Sequence, residues 1–138
     1  MEAHRSLYRV TKARKGLRTA ANKRGWGALR LSTVGRRSGL DRAVIVGYLE
    51  DGPNLVVMAM NGWGEAEPAW WLNLQADPIA TVQLADGPPD VYRRTWPRAF
   101  ERDRSWALWR IIEPNLDQYA ALRSTPTAVI VLAPAPPI

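Results

Sequence analysis

The stretch Leu31 to Arg42, L-S-T-V-G-R-R-S-G-L-D-R, decides how the rest of the chain is read. It gathers Arg36, Arg37 and Arg42 with Ser32, Thr33 and Ser38 in one short turn between apolar runs at 28–34 and 43–48. Short apolar runs bounded by glycine read as neighbouring strands, so their connection is a loop. Gly35 and Gly39 permit positive φ, which lets successive backbone N–H groups converge on an anion. The guanidinium groups add fixed forks of donors matched to phosphate or carboxylate oxygens, with the hydroxyls on the same rim. Only Asp41 opposes them. A hairpin loop with solvated arginines has the same local pattern. A cofactor phosphate at this turn is therefore an expectation that needs support from elsewhere in the chain.

Length and composition narrow the choices. A chain of 138 residues suffices for one domain with a real core and hardly for two, so a large ligand has to lie at the surface or between subunits. Hydrophobic residues make up 46%, yet no apolar run approaches membrane-spanning length, and a cytoplasmic protein is expected, at most attached to a membrane surface. Without cysteine there is no thiolate nucleophile, disulfide or Cys-ligated metal. His4 is the sole histidine, and no metal-ligand cluster or Ser–His–Asp set is visible, so no metal is expected.

The formal charge of +6 raises nucleic acid as a partner, but its distribution argues against one. Residues 1–24 hold eight Lys and Arg against Glu2, a net +7, so the remainder sums to −1. Leu7, Val10, Leu17 and Ala20 recur at helical spacing there, which reads as a basic amphipathic helix in an arm over residues 1–27. Such a helix packs on the domain, docks on anionic lipid or closes over an anionic ligand. A secretory signal is not expected, because no continuous apolar segment follows the basic residues.

Beyond the arginine turn, runs at 43–50 and 55–60 flank Asp51-Gly52-Pro53-Asn54, turn chemistry for an antiparallel hairpin. Both are mostly apolar, so both faces are expected to be covered. Asn61-Gly62-Trp63-Gly64 breaks the second strand and would let a flat ligand approach backbone amides. A helix over 68–76 is marked by Pro68, by Glu65 and Glu67 at its positive end, and by Asp77-Pro78 as a stop. Trp70, Trp71 and Leu74 read as core there, and Asn73, between two leucines, needs hydrogen-bond partners if buried. Runs at 79–85 and 90–95 form a second hairpin across Asp86-Gly87-Pro88-Pro89. A helix over 97–112 carries Phe100, Trp106, Trp109 and Ile112 inward, a short helix or turn over 115–123 holds Tyr119, and a last strand spans 127–132. Residues 133–138 read as an extended Pro-rich tail.

Taken together, L-S-T-V-G-R-R-S-G-L-D-R, V-V-M-A-M-N-G-W-G, E-P-A-W-W-L-N-L-Q-A-D-P and the ending T-A-V-I-V-L-A-P resemble the deazaflavin-dependent nitroreductase family, in order and in spacing, over residues 28–134. The pairing of G-R-R-S-G with P-x-W-x-x-N-L-x-x-[DN]-P is far more specific than either motif alone. The resemblance implies a mainly β fold with flanking helices, a split β-barrel of the flavin-reductase type over 28–132. It also implies the deazaflavin cofactor F420, with flavin mononucleotide on the same barrel as the alternative. Hydride would pass from the reduced cofactor to a quinone or nitro compound.

Carried over by position, Arg36, Arg37, Ser38 and Arg42 would face the phosphate and polyglutamate tail of the cofactor. Val44, Ile45 and Val46 would flank it. Met58, Ala59, Met60 and Asn61 would offer backbone groups to the ring, and Ala69, Trp70 and Asn73 would line the pocket. Tyr119 would shape the acceptor side and is the candidate proton donor, with Trp63 and Trp71 beside the acceptor. Met60, Trp63, Glu67, Trp71 and Ile45 depart from the residues usual in the family. Their bulk points to a flat hydrophobic acceptor, with nitroreduction as a side activity. The rivals are a non-catalytic F420 carrier and a nucleic-acid module built on the arm. A further expectation is contact of residues 1–24 with an anionic membrane.

Overall fold

The computed structural model describes residues 16–20, 25–95 and 99–135. The described chain runs β1 (Gly27–Val34), β2 (Asp41–Asp51), β3 (Asn54–Met58), α1 (Ala69–Ala76), β4 (Ile79–Gln83), β5 (Asp90–Thr95), α2 (Ala99–Ile112), α3 (Leu116–Ala120) and β6 (Val129–Pro134). All neighbouring strands are antiparallel, and the order β1-β2-β3-β6-β5-β4 closes on itself through β1 and β4. Closure removes the free edges that an open sheet would expose.

Alternation along β1 puts Leu29, Leu31 and Thr33 inside, with Arg30, Ser32 and Val34 only partly covered. The period of two is what one buried face demands. Inside the barrel Leu29, Leu31, Tyr48, Leu55, Val57, Ala80, Val82, Tyr92, Ile130 and Leu132 form one cluster, joined by Trp70, Trp71 and Leu74 of α1. Leu49, Val56, Val129 and Val131 point outward from β2, β3 and β6 to meet Trp106 and Trp109 of α2 and Leu116 of α3 in a second cluster. β3 and β6 are therefore apolar on both faces. One face serves the barrel and the other the helical layer.

Two glycines are fixed by close approach. A Cβ on Gly27 would lie 2.5 Å from the Tyr48 ring and 2.6 Å from the Arg18 carbonyl, where Arg18 pairs with Ala28 in an isolated bridge. A Cβ on Gly35 would lie 2.7 Å from Ser38 Oγ.

Several expectations change. Residues 16–20 are not helical: Arg18 exchanges backbone hydrogen bonds with Ala28, and Gly16 has φ of 96°. The rest of the basic helix over 1–15 and 21–24 lies outside the described residues. The final strand is shifted to Val129–Pro134, with Ala133 opposite Arg93 and Pro134 opposite Tyr92, so the Pro-rich tail begins only after the barrel has used its first residues. Proline is tolerated at such a strand end, where its missing N–H breaks no ladder bond. Residues 136–138 lie outside the description. Phe100 is exposed on α2, where Trp106 and Trp109 do the packing. Glu65 and Glu67 serve the C-terminal segment rather than the start of α1. Glu67 pairs with the fully buried Arg123 side chain, and Glu65 accepts from Ser124. Hydrogen bonds from Ser124 hold the Glu65 carboxyl below its ordinary pKa.

Candidate functional site

β2 carries the first surprise, because the expectation of two covered faces fails over its N-terminal half. Residues 41–45 are exposed although Ala43, Val44 and Ile45 are apolar. Residues 42–45 face a cavity of about 870 Å³. Contiguous exposed apolar strand beside a cavity is the mark of a ligand wall.

Arg42, Val44, Ile45 and Val46 of β2 line one side, and Met58, Met60, Asn61, Gly62 and Trp63 approach from the end of β3 and the loop after it. Pro68, Ala69, Trp70 and Asn73 close it from the start of α1. These elements are far apart in sequence and meet because α1 packs against β1 and β2 at the barrel end.

The arginine turn adjoins this cavity through Arg42 and Asn73; Arg36, Arg37 and Ser38 are not among its walls. β1 and β2 pair as far as Val34 opposite Asp41, which confines the loop to residues 35–40. Gly35 N–H donates to the Leu40 carbonyl and Gly39 N–H to the Gly35 carbonyl, both at 2.8 Å, with Gly39 at φ of 72°. Ser38 Oγ accepts from Leu40 N–H at 3.2 Å, so that hydroxyl helps to shape the turn. Arg36, Arg37, Ser38 and Arg42 are all exposed, with Arg36 also reaching Asn73 and Arg42 lining the cavity.

Asn73 is the tie. Its Oδ1 accepts from Arg36 N–H at 3.1 Å and from Arg36 Nη1 at 3.2 Å, while its Nδ2 donates to Thr33 Oγ1 at 3.1 Å. The carboxamide thus holds the arginine turn against α1 and also borders the cavity.

Besides Arg36, Arg37 and Ser38, three residues placed at the site by sequence are placed elsewhere by the fold. Trp71 is buried in the barrel cluster, because neighbouring positions on α1 face different ways and only Trp70 reaches the cavity wall. Ala59 is fully buried, and its backbone groups are engaged internally, N–H with the Ala128 carbonyl and C=O with Arg123. Tyr119 is not among the cavity walls; it stacks on Trp63 with centroids 6.1 Å apart and planes at 28°. Trp63 itself has φ of 63°, a left-handed conformation that costs a bulky residue of order 1–3 kcal/mol. The loop around it is fixed by Gly64 N–H to the Asn61 carbonyl and by Arg123 to the Glu65 carbonyl.

The cavity also includes residues that sequence reasoning missed: Trp26, Gly47, Trp109, Ile112, Glu113 and Leu116. No motif marked them, since they belong to a pre-strand segment, the outer face of β2 and the ends of α2 and α3. Among the described residues no group of His, Cys, Asp and Glu could hold a metal ion, and no helix is long and apolar enough to cross a membrane.

A closed antiparallel barrel with a cationic turn beside a largely apolar cavity defines a split-barrel protein with room for an anionic, ring-bearing cofactor. Its shape is shared with solved structures: an F420-H2 dependent reductase with TM-score 0.65, 23% identity, and coverage of 76% of this chain and 92% of that one. An FAD-binding protein from Mesorhizobium loti gives 0.53 at 17% identity, over 94% and 88%. The family model described as F420H(2)-dependent quinone reductase matches residues 2–134, and the chain belongs to that family. It is 27% identical over 137 residues to an F420H(2)-dependent quinone reductase of Mycobacterium tuberculosis, covering 96% of this chain and 88% of the relative. The chain is thus an oxidoreductase of the F420-dependent kind.

Proposed function

We propose that the chain reduces a flat quinone with F420H2 bound between β2, the 60–63 loop and α1, the acidic tail of the cofactor lying toward Arg36, Arg37 and Arg42. The observation that carries this reading is the exposed run Ala43–Ile45 in the wall of one cavity of about 870 Å³ that also takes in Arg42 and Asn73, the latter bonded to Arg36. The donor set suits the cofactor. Guanidinium groups match phosphate and carboxylate oxygens, and apolar side chains with backbone from Met58, Met60 and Asn61 suit a ring carrying a few polar atoms.

Reduced F420 supplies a hydride, two electrons with one proton, and a quinone that takes it with one further proton becomes a hydroquinone. The chain's own work is to bind, orient and exclude water. Val44 and Ile45 give a flat apolar wall, Trp70 and Asn73 bound the slot from α1, and Trp63 narrows the acceptor side. Tyr119 positions Trp63 by stacking on it. The further proton reaches the acceptor from water at the open mouth. Nitro compounds of similar shape enter the same slot as secondary acceptors. The net +7 of residues 1–24 supports peripheral contact with an anionic membrane, the phase in which lipid-soluble quinones dissolve.

Titration of the purified chain with F420 tests the placement. Arg36→Ala with Arg37→Ala is expected to weaken binding by about 1.5–3 kcal/mol for each charge-assisted bond lost. Unchanged affinity would remove the cofactor tail from this turn.

A further inference from the structure

The cavity is larger than the slot between β2 and α1, and its second lobe has a different character. Trp26, Trp63, Trp109, Ile112 and Leu116 surround it, and Glu113 is the one ionisable side chain among them. Gly47 forms part of its wall. A Cβ there would lie 3.5 Å from the tip of the Trp109 ring and 3.9 Å from Trp26, so the two indoles flank a stretch of β2 that has no side chain. Aromatic walls beside bare backbone make a slot for a fused planar ring.

Glu113 puts a negative charge on the α2 side of this lobe, while the Arg18 guanidinium lies 4.1 Å from the Trp26 ring centroid on the other side. Glu113 directly follows the last residue of α2, and its N–H still bonds the Trp109 carbonyl at 2.9 Å. The carboxylate therefore adds to the partial negative charge at the C-terminus of a 14-residue helix. The nearest basic side chain on α2, Arg110, is spent on Asp117 at 2.9 Å. Asn115 N–H donates to Glu113 Oε1 at 3.3 Å, which holds the side chain at the helix end.

We propose that Glu113 and the tryptophan lobe form a charge filter for the acceptor: a neutral or cationic fused-ring quinone enters, and an anionic one of the same shape is rejected. The inference deepens the quinone reductase reading and rests on it for the cofactor tail at the arginine end and for which bound molecules turn over. A like charge placed against a carboxylate in an apolar, partly desolvated lobe loses affinity even when the ring packs equally well. The arginine end does not compensate, because the cofactor tail occupies it in the reading above.

The test uses one naphthoquinone ring bearing, at the same position, a neutral, a sulfonate or a trimethylammonium substituent. Binding to the full chain, with oxidised F420 present to occupy the arginine end, is followed by quenching of tryptophan fluorescence. The neutral and cationic probes are expected to bind about tenfold more tightly than the sulfonate, a difference of about 1.4 kcal/mol. Glu113→Gln keeps the acceptor oxygen for Asn115 and should reduce that ratio below about threefold, whereas Glu113→Asp should retain most of it. In the unaltered chain the ratio should shrink as salt rises from about 0.05 to about 0.5 M. A ratio untouched by Glu113→Gln, or insensitive to salt, overturns the filter. Oxidation of F420H2 separates the two readings. Binding preference with no turnover of the neutral quinone overturns the reductase reading and leaves the filter, while equal binding and turnover of all three probes overturns the filter and leaves the reductase.

Discussion

Asn73 shows what a single buried side chain contributes here. A carboxamide only 3% exposed between two leucines has to find partners, and the sequence alone left open whether these were protein or ligand. The structure answers with Thr33 on β1 and Arg36 in the loop that follows it. Asn73→Ala is expected to destabilise the fold by about 2 kcal/mol, since it strands the Thr33 hydroxyl and the Arg36 amide. It should also weaken F420 binding by releasing the arginine turn. Denaturant midpoints and an F420 titration check the two effects; a variant with loosened cofactor binding and full stability would mean that Asn73 acts on the cofactor directly. Arg123 does comparable work at the other rim. Its buried guanidinium reaches Glu67, Thr127 and the carbonyls of Ala59 and Glu65, and so fixes the loop that carries Met60 and Trp63.

At the scale of elements, the hairpins were legible because their turns are local chemistry. Gly52 at φ of 59° closes β2 on β3 where Asp51-Gly52-Pro53-Asn54 announced it, and β4 and β5 flank Asp86–Pro89 as the pattern required. The pairing of β6 with both β3 and β5 was not legible, since no turn links those strands and the register is set by the barrel. Nor was the exposure of β2 residues 41–45, because an apolar run signals burial and here it lines an open cavity. Trp109 and Glu113 escaped for a related reason: a helix face reads as core whether it meets a strand or a cavity.

The α2–α3 corner carries a prediction of its own. Asp117 Oδ1 accepts from Trp106 Nε1 at 2.8 Å, and its carboxylate pairs with Arg110. These partners, the indole first, hold its carboxyl below the ordinary aspartate range. A carboxyl lowered on folding adds stability that is present above its unfolded pKa and is lost as pH falls through the lower folded value. Acid unfolding of the chain should therefore steepen below about pH 4, and Asp117→Asn should flatten that limb while leaving an acceptor for Trp106. Urea midpoints measured from pH 6 downward would show it; parallel acid limbs in both proteins would refute the assignment.

The whole molecule depends on closure, because the interior cluster draws on all six strands at once. Tyr48 and Tyr92 are the ionisable side chains in that cluster, 1% and 9% exposed. Burial pushes both phenols above the usual tyrosine value, against a backbone hydrogen bond from Ala20 at Tyr48, with nearby Glu50 adding to the rise at each. The sign follows from linkage. A phenol raised on folding keeps its proton in the barrel at a pH where the unfolded chain has lost it, so stability is complete below about pH 10 and declines as pH rises above that. Heating or urea unfolding in steps from pH 8 to 12 should show this alkaline decline. Tyr92→Phe should lessen the slope, and Tyr48→Phe should lessen it further while lowering stability at neutral pH by about 1 kcal/mol for the lost hydrogen bond. Near-ultraviolet absorbance at the same pH values reports phenolate directly: the two signals should appear only together with unfolding. Ionisation of both tyrosines in a chain that stays folded would place them outside a closed, dry barrel, and the geometry that sets β2 beside α1 would fall with it.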